Sequence, residues 1–598
     1  LTLTPLPSRL ARIWSHPRFQ LLAGILAVVG FALLHQLFLQ RAHPDALYMD
    51  SLRLLAQLDQ WEHGKLSTMD FWGQGSSHRG FVNQLFLLAN VAWFNLDVML
   101  VNRLTGLVIA VVALILVLTW VRDSRADVKS AGSALVTAGV SFVIAGLCYS
   151  WAGFELFTLD LGLPLWFKNL CFVAFFSGHA WLLGGAARRP WLWSLVLVVT
   201  APVIVLVVGM GWNYAFIGAV LALQLLAFLP KCRSSTRWHG VPACLSLVIA
   251  MALYLVSGSV TDAAVASDTL SLDGNTPLIT LYALGSTVGN PAAIGQALPL
   301  WIIAVAGAGI LLTGGLSTLS WVRRGAPGSR LPLYLIAYGA LVAVSVTLAR
   351  GSVGPGGVMA SRYYMDLVLG LIGVVWLTTR ELRAGNGNRL AAVFIWCMLA
   401  AIGVMHLGTN YYEWRAGPYR ALAFADMNRA LVASVPDDNA AALLQSPLGH
   451  ARQGADIMRE RQLSVFANHP ELQCSGRDVQ YKDGWNAAEE QGRWARNEAT
   501  LALPSSCSCS FVADLYIPEV FNARRVEARS NGQLLGEWVL PPGKVTAIDL
   551  GKAGEGALVT IQAQSAPEET QAPNGTADEP ELGALFTGFS LRCTIPGL

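Results

Sequence analysis

The chain has 598 residues, of which 54% are hydrophobic and 13% charged, against about 45–50% and about 25% in a soluble domain; this excludes an ordinary soluble enzyme. Its net charge of +3 is unevenly placed: residues 1–408 hold 25 Lys/Arg and 15 Asp/Glu, and residues 409–598 hold 16 and 23. A long apolar, weakly basic body therefore precedes an acidic tail of domain size, and neither part is basic enough to take nucleic acid as a partner.

A membrane crossing needs about 20 mostly apolar residues. In chain order, Phe19–Gln40, Leu104–Trp120, Ser130–Phe154, Asn169–Ala187, Pro190–Pro230 (long enough for two), Trp238–Thr261, Ala297–Trp321, Leu331–Ala349, Tyr363–Thr379 and Leu390–Leu407 supply 11 such spans, with Asp366 as an exception inside one of them. Buried helices of a soluble protein would show a polar face, and these do not. The expected fold is a polytopic α-helical membrane protein of about 11 transmembrane helices, followed by an extracytoplasmic all-β sandwich.

Lys and Arg set the orientation. Arg9, Arg12 and Arg18 precede the first span, and the alternate loops hold Arg122/Arg125/Lys129, Arg188/Arg189, Lys231/Arg233/Arg237, Arg323/Arg324/Arg330 and Arg380/Arg383/Arg389. With 11 spans all of these fall on the cytoplasmic side, residues 81–95 lie at the outer interface, and the acidic tail is outside. Short basic loops with an outer tail suit a bacterial inner membrane. The first span is too long and too far from an A-x-A site to be a cleaved signal peptide.

Polar chemistry has room only on the outer face. The first outer loop, residues 41–102, opens with Asp45 and Asp50, and Leu54, Leu55, Leu58 and Trp61 then form the apolar stripe of a helix over 51–63, suited to lying on the bilayer surface, with Gly64 as its stop. Asp50 at the head of this helix fits either a first-turn or capping carboxylate or a general base. His78 and Arg79 follow, and Arg103 stands at the mouth of the second span. Residues 262–296 form a second outer segment, and residues 350–362, with glycines at 351, 354, 356 and 357, a third; the latter lacks the Lys and following helix of a phosphate loop. His35, His179 and His406 lie near span ends and read as interfacial rather than as ligands.

An acidic residue just after the first span, surface helices, a basic residue leading into the next span, and Arg362-Tyr363-Tyr364 at the start of a late span together resemble the GT-C superfamily of membrane glycosyltransferases. The likeness covers about residues 15–410 as a layout. It departs in having Asp50 with Asp45 five residues upstream rather than an adjacent acidic pair, and Ser76-Ser77-His78-Arg79 where many members carry a His-Pro-Pro-Leu type sequence. The resemblance implies transfer of a sugar from a polyprenyl phosphate or diphosphate to a glycan, lipid or protein acceptor, with inversion. Arg362, His78, Arg79, Arg103, Arg350 and Tyr363 would receive the donor phosphate, Arg offering planar paired contacts. Asp50, or secondly Asp45, would take the acceptor proton. No cofactor is certain from the sequence; Asp45 and Asp50 are the candidates for a divalent cation. The rivals are a transporter or flippase of a lipid-linked sugar, disfavoured by the scarcity of charge inside the spans, and an O-antigen ligase or polymerase.

The domains are thus a catalytic body, 1–408, a mixed α/β connector, 409–475, and a β-sandwich, 476–598. The connector is expected to hold a helix over 421–435 and a strand over 462–467. Seven strands are predicted: 499–503, 510–517, 524–530, 533–540, 545–550, 557–564 and 583–593, with a hairpin turn at Ser530-Asn531-Gly532 and a mobile loop over 565–582. Trp485, Glu490 and Trp494 form a candidate glycan-contacting cluster, although core or hairpin support is the more usual role of such rings. Four of nine cysteines fall outside, Cys474, Cys507, Cys509 and Cys593, an even number that suggests two disulfides, a Cys507–Cys509 bridge being disfavoured by its short loop.

Overall fold

The computed structural model describes the chain except residues 1–15, 74–79, 126–130, 258–274, 290–298, 385–388, 468, 470–471, 473–478, 490–491, 505–508, 553–556, 566–582 and 593–598. Two compact units emerge. One contains Leu1–Pro44, Ser67–Phe86 and Met99–Arg420; the other contains Asp45–Leu66, Leu87–Val98 and Ala421–Leu598. Part of the first outer loop therefore belongs with the tail, which the linear division at residue 408 did not foresee.

The first unit is built from α1 (Pro17–Ala42), α4 (Val98–Ser124), α5 (Ala131–Cys148), α6 (Gly162–Leu183), α7 (Pro190–Val203), α8 (Asn213–Leu226), α9 (Arg237–Val256), α10 (Thr276–Gly285), α11 (Leu300–Arg323), α12 (Leu331–Arg350), α13 (Tyr364–Ala384) and most of α14 (Arg389–Val432); α2 (Asp50–Glu62) and α3 (Val82–Phe94) intervene in the chain. Among the described residues nine helices are long and apolar enough to cross a membrane: α1, α4, α5, α7, α9, α11, α12, α13 and α14. Two expected spans fall short of that standard. Helix α6 has the length but carries Lys168, Asn169 and His179, all buried. The 210–226 segment is shorter, because a π turn over Ile204–Val208 and a 3-10 turn over Met210–Trp212 interrupt the apolar run after α7.

Packing in this unit depends on close backbone approach, as expected where lipid offers no hydrophobic drive between helices. A Cβ at Gly339 of α12 would lie 2.6 Å from Gly370 Cα of α13. The basic loops are tied together at one end. Asp123 Oδ2 accepts from Arg380 Nη1 and from Trp376 Nε1, both at 2.9 Å, and its Oδ1 accepts from Ser329 N–H at 2.8 Å. Arg324 pairs with Glu381, Arg330 donates to Cys232 O at 2.7 Å, and Ser234 Oγ–H donates to Leu183 O at 2.5 Å. The alternation read from Lys and Arg thus has a physical counterpart in the contacts.

In the second unit, α2 buries Leu52, Leu54, Leu55 and Leu58. Arg461, just past α15 (Leu448–Glu460), reaches both Asp59 and Glu62 of this helix, the latter at 2.5 Å. α15 also packs on this helix, a Cβ at Gly454 falling 2.8 Å from Leu52 Cδ2, so apolar surface expected to meet the bilayer is covered within its own unit. Gly64 ends it as predicted, with a left-handed φ of 69° and its N–H on Trp61 O at 3.0 Å. The connector is helical among the described residues. The helix expected over 421–435 is the end of α14, and the strand expected over 462–467 is a 3-10 turn, Ser464–Phe466. Leu463 and Phe466 are both buried, the i, i+3 spacing that a 3-10 turn eclipses.

All seven predicted strands are present, with three more before them. β1 (Gln480–Tyr481), β4 (Glu498–Ala502), β9 (Leu558–Ser565), β6 (Arg524–Ser530) and β7 (Gln533–Leu540) form one antiparallel sheet in that order; β2 (Trp485–Glu489), β3 (Gly492–Ala495), β10 (Ala584–Arg592), β5 (Ser510–Tyr516) and β8 (Val545–Lys552) form the second. Tyr481 of the first sheet meets Trp485 and Phe589 of the second, at ring separations of 4.8 and 6.0 Å. Strand β5 is buried on both faces rather than alternating, because α15 covers its second face: Arg452 Nη1 donates to Asp514 Oδ2 at 2.6 Å and also binds Val435 O and Pro436 O.

Burial raises the Asp514 carboxyl above its ordinary value, and Arg452 offsets this only in part. A raised carboxyl pKa means that the folded state prefers the proton: this group's stabilising contribution is complete below the unfolded value of about 3.9 and is lost as pH rises through the folded value. Arg452→Ala is therefore expected to cost about 3–5 kcal/mol at neutral pH, where the carboxylate is left buried and unpaired, and less in acid, where Asp514 takes up its proton. Denaturant titrations of the two proteins at pH 7 and pH 4 check this; an equal deficit at both values would contradict it.

Candidate functional site

The Arg-Tyr sequence before α13 is held by five neighbouring residues. Ser361–Tyr363 is a 3-10 turn. Ser361 Oγ–H donates to Glu155 Oε2 at 2.9 Å, and Arg362 Nη1 donates to Glu155 Oε1 at 3.2 Å. Tyr364 O–H donates to Leu147 O at 3.0 Å, and Asn169 Nδ2 donates to Met365 O at 3.1 Å. Asp366 accepts from Lys168 Nζ at 2.7 Å and from Tyr338 O–H at 2.6 Å. Each polar side chain here removes a donor or acceptor that would otherwise be stranded in an apolar setting. Arg362 alone of the two cations keeps access to the outside: its side chain is 41% exposed, whereas Lys168 and Asp366 are fully buried. One side of the Arg362 guanidinium is met by Glu155, and its centre lies 5.6 Å from the Tyr363 ring. The arrangement is a partly neutralised, pre-set arginine fork, able to take an anion that competes with or adds to Glu155.

The buried trio is the part that sequence reasoning missed. Lys168 also lies 3.9 Å from the centre of the Trp212 ring, so its charge is compensated by a carboxylate and a π face together. Asp366 Oδ2 has no hydrogen-bond partner. The signal was available in the chain: Lys168 and Asp366 are opposite charges at the edges of otherwise apolar stretches, and such groups pair. Nothing in the sequence pointed to Glu155.

Other predicted residues of this unit are placed separately. Arg350 is exposed at the end of α12, before a series of tight turns, and Arg103 is exposed in the second turn of α4. His78 and Arg79 lie outside the described residues, as do Ser76 and Ser77; the flanking Trp72 is fixed by an Nε1–H bond to Leu206 O at 2.9 Å. The three histidines expected at the interface are instead buried among helices. His35 Nε2 is 3.4 Å from Asn102 O, His179 Nδ1 2.5 Å from Tyr334 Oη, and His406 Nδ1 2.7 Å from Ser150 Oγ. Apolar surroundings made them look like span ends; hydrogen-bond partners on other helices allow them inside.

Asp45 and Asp50 belong to the second unit. Met49 has φ 57° and ψ −137°, a conformation costly for a side chain larger than glycine, and its N–H bonds to Leu444 O at 2.9 Å. This twist sets the start of α2. Asp50 is the first residue of that helix, 57% exposed and 3.7 Å from Arg53, and the helix has no side-chain cap. It is a first-turn carboxylate rather than the cap itself. Asp45 accepts from Asn428 Nδ2 at 3.0 Å. Among the described residues no group of three or more His, Cys, Asp or Glu is disposed to hold a metal ion.

In the sheets, Trp485 and Trp494 do not form one surface. Trp485 pairs in register with Ala495, so the neighbouring Trp494 turns to the opposite face. Trp485 donates to Thr500 O at 2.7 Å and packs edge-on against Tyr481 and Phe586, which is a bridging role between the sheets. Trp494 packs edge-on against Phe521. Glu490 lies outside the described residues. Cys509 is disulfide-bonded; Cys474, Cys507 and Cys593 lie outside the described residues, as does the 566–582 stretch. Cys148, Cys171, Cys232, Cys244 and Cys397 are free thiols.

No protein-family model matches this chain, and no curated protein or solved structure is significantly similar to it.

Proposed function

We propose that the chain is a glycosyltransferase of the GT-C type, transferring a sugar from a polyprenyl-phosphate or diphosphate donor to a glycan, lipid or protein acceptor on the outer face of a bacterial inner membrane. The observation that carries this reading is Arg362: a half-exposed arginine fixed at the head of an apolar helix by Glu155 and by the bonds on Ser361, Tyr364, Met365 and Asp366. The leaving group of such a donor is a phosphate. It departs without a strong acid if fixed positive charge receives it. Arg362 is assigned that contact, with Arg350, Arg103, His78 and Arg79 as further candidates and Tyr363 beside the fork. Asp50 is assigned the acceptor proton, with Asp45 second. The sheets are assigned acceptor binding, Trp494 being the ring that does not bridge them. A divalent cation, if the reaction uses one, would draw on Asp45 and Asp50.

Arg362→Ala is expected to lower donor use about tenfold or more, since a hydrogen bond to a charged group contributes roughly 1.5–3 kcal/mol; Arg362→Lys keeps the charge but loses the fork and recovers part of it. The check is a transfer assay with a radiolabelled polyprenyl-phosphate sugar in vesicles. Full donor affinity and rate in Arg362→Ala would reduce this arginine to a structural partner of Glu155.

The sidedness belongs to the same proposal and rests on the basic loops gathered by Asp123, Arg330 and Glu381. Reporter fusions after Ala384 are expected to report the cytoplasm, and fusions after Val435 the outer compartment. The same compartment at both positions would show that α14 does not cross and would overturn the 11-span scheme.

One observation favours a rival. Intramembrane charges such as Lys168 and Asp366 often mark transport pathways, so a flippase of the same lipid-linked sugar is the second reading. It predicts movement of labelled donor between leaflets with no acceptor present, which the transferase reading does not.

A further inference from the structure

Away from Arg362, the first unit holds a groove of about 390 Å³ lined by α11, α12 and α13 with Leu284 of α10, almost wholly apolar. On α11 its wall includes the helical row Leu311, Gly315 and Leu319, four residues apart, beside a second row that runs through Gly314 and Thr318. Leu311 and Leu319 are 54% and 45% exposed, so the groove is open along its length rather than sealed. A Cβ at Gly315 would meet nothing within 4 Å, so a side chain there enters the open mouth of the groove, whereas one at Gly314 would lie 3.0 Å from Val374 Cγ2 at its floor. The next residue of the same row is Arg323, exposed, in the last turn of α11. Arg324 beside it is already engaged by Glu381, and among the described residues no ion pair is formed by Arg323.

We propose that this groove binds an anionic phospholipid, with an acyl chain along the 311/315/319 row and the headgroup phosphate on Arg323. The charge decides the occupant. An apolar slot alone would accept any chain, but one that ends, in register, on an uncommitted arginine favours a lipid with a negative headgroup directly above its chain. The inference is independent of the transfer reaction and requires only that α11–α13 lie in a bilayer.

The test uses the full chain equilibrated in vesicles of equal phosphatidylglycerol and phosphatidylcholine, extracted in mild detergent, with retained lipid identified by native mass spectrometry. The wild type is expected to retain phosphatidylglycerol over phosphatidylcholine. Arg323→Gln should reduce that preference about fivefold, the equivalent of the roughly 1 kcal/mol a basic residue contributes at an anionic surface, and Arg323→Lys should keep most of it. Gly315→Leu fills the slot and should lower retention of both lipids. Thr318→Leu narrows the same groove as a second variant, since the Thr318 hydroxyl bonds only within its own helix, to Gly314 O. Equal retention of the two lipids by the wild type, an unchanged preference in Arg323→Gln, or undiminished retention in both groove-filling variants when they remain monodisperse would each overturn the proposal.

Discussion

On the proposed transferase reading, Asp50→Asn is expected to leave the protein folded and to lower the rate of sugar transfer by about 10²–10⁴, the usual contribution of a positioned general base. The carboxylate is more than half exposed, heads α2, and makes only a 3.7 Å pairing with Arg53. Its structural contribution is therefore the interaction of a first-turn negative charge with the helix dipole, about 0.3–1 kcal/mol. Asparagine preserves the shape and loses the proton acceptor. A purely structural Asp50 would show a small loss of stability and full turnover, so the two roles separate by orders of magnitude in rate. Asp45→Asn is the companion measurement, because Asp45 already accepts from Asn428 and an amide there keeps an acceptor oxygen. Inactivity of Asp45→Asn alone would move the role five residues upstream, and full activity of both variants, singly and together, would remove this loop from the chemistry. The strain at Met49 gives a further handle: Met49→Gly should relieve a cost of order 1–3 kcal/mol while loosening the start of the helix that presents Asp50.

Lys168→Met is expected to destabilise the protein by about 3–5 kcal/mol, as when one partner of a buried ion pair is removed. Lys168 and Asp366 are fully buried, and the remaining partner of the carboxylate would be the Tyr338 hydroxyl, with Oδ2 already unsatisfied. Methionine fills most of the lysine volume, so the loss would reflect charge rather than a cavity. Replacing both groups, as in Lys168→Met with Asp366→Leu, should recover much of the deficit, because the cost lies in an uncompensated charge and not in the absence of the pair. Thermal unfolding of the four proteins in one detergent completes the cycle. Equal midpoints for the wild type and Lys168→Met would show that the Lys168–Asp366 pair contributes nothing to stability. Because Asp366 lies four residues after Arg362, the single variant should also lose donor use, and the double variant should regain stability ahead of it.

The periodic elements were legible because their signals are local. Apolar runs of membrane length predicted the helices, the stripe of Leu54, Leu55 and Leu58 predicted α2, Gly64 its end, and the turn residues at 530–532 the β6–β7 hairpin. The strands at β1–β3 were missed: short and mixed in composition, they carry no period of their own, and only β3 is anchored by a distant partner, β10. Residues 462–467 misled because five apolar or small residues in a row, 463–467, suit a strand as well as a 3-10 turn, and burial of Leu463 with Phe466 chose the turn.

Composition, charge asymmetry and hydropathy period by themselves determined a helical, membrane-length body and a β-rich acidic tail, since each depends only on neighbours within a turn or a strand. Tertiary structure alone decided which distant groups meet. It joined Glu155 to Arg362, Lys168 to Asp366 and Tyr338, Asp123 to Arg380, and Arg452 to Asp514, separations of 28 to 257 residues. The reason is physical: a charge in an apolar setting must find its opposite wherever the packing brings it, and no local pattern records that choice.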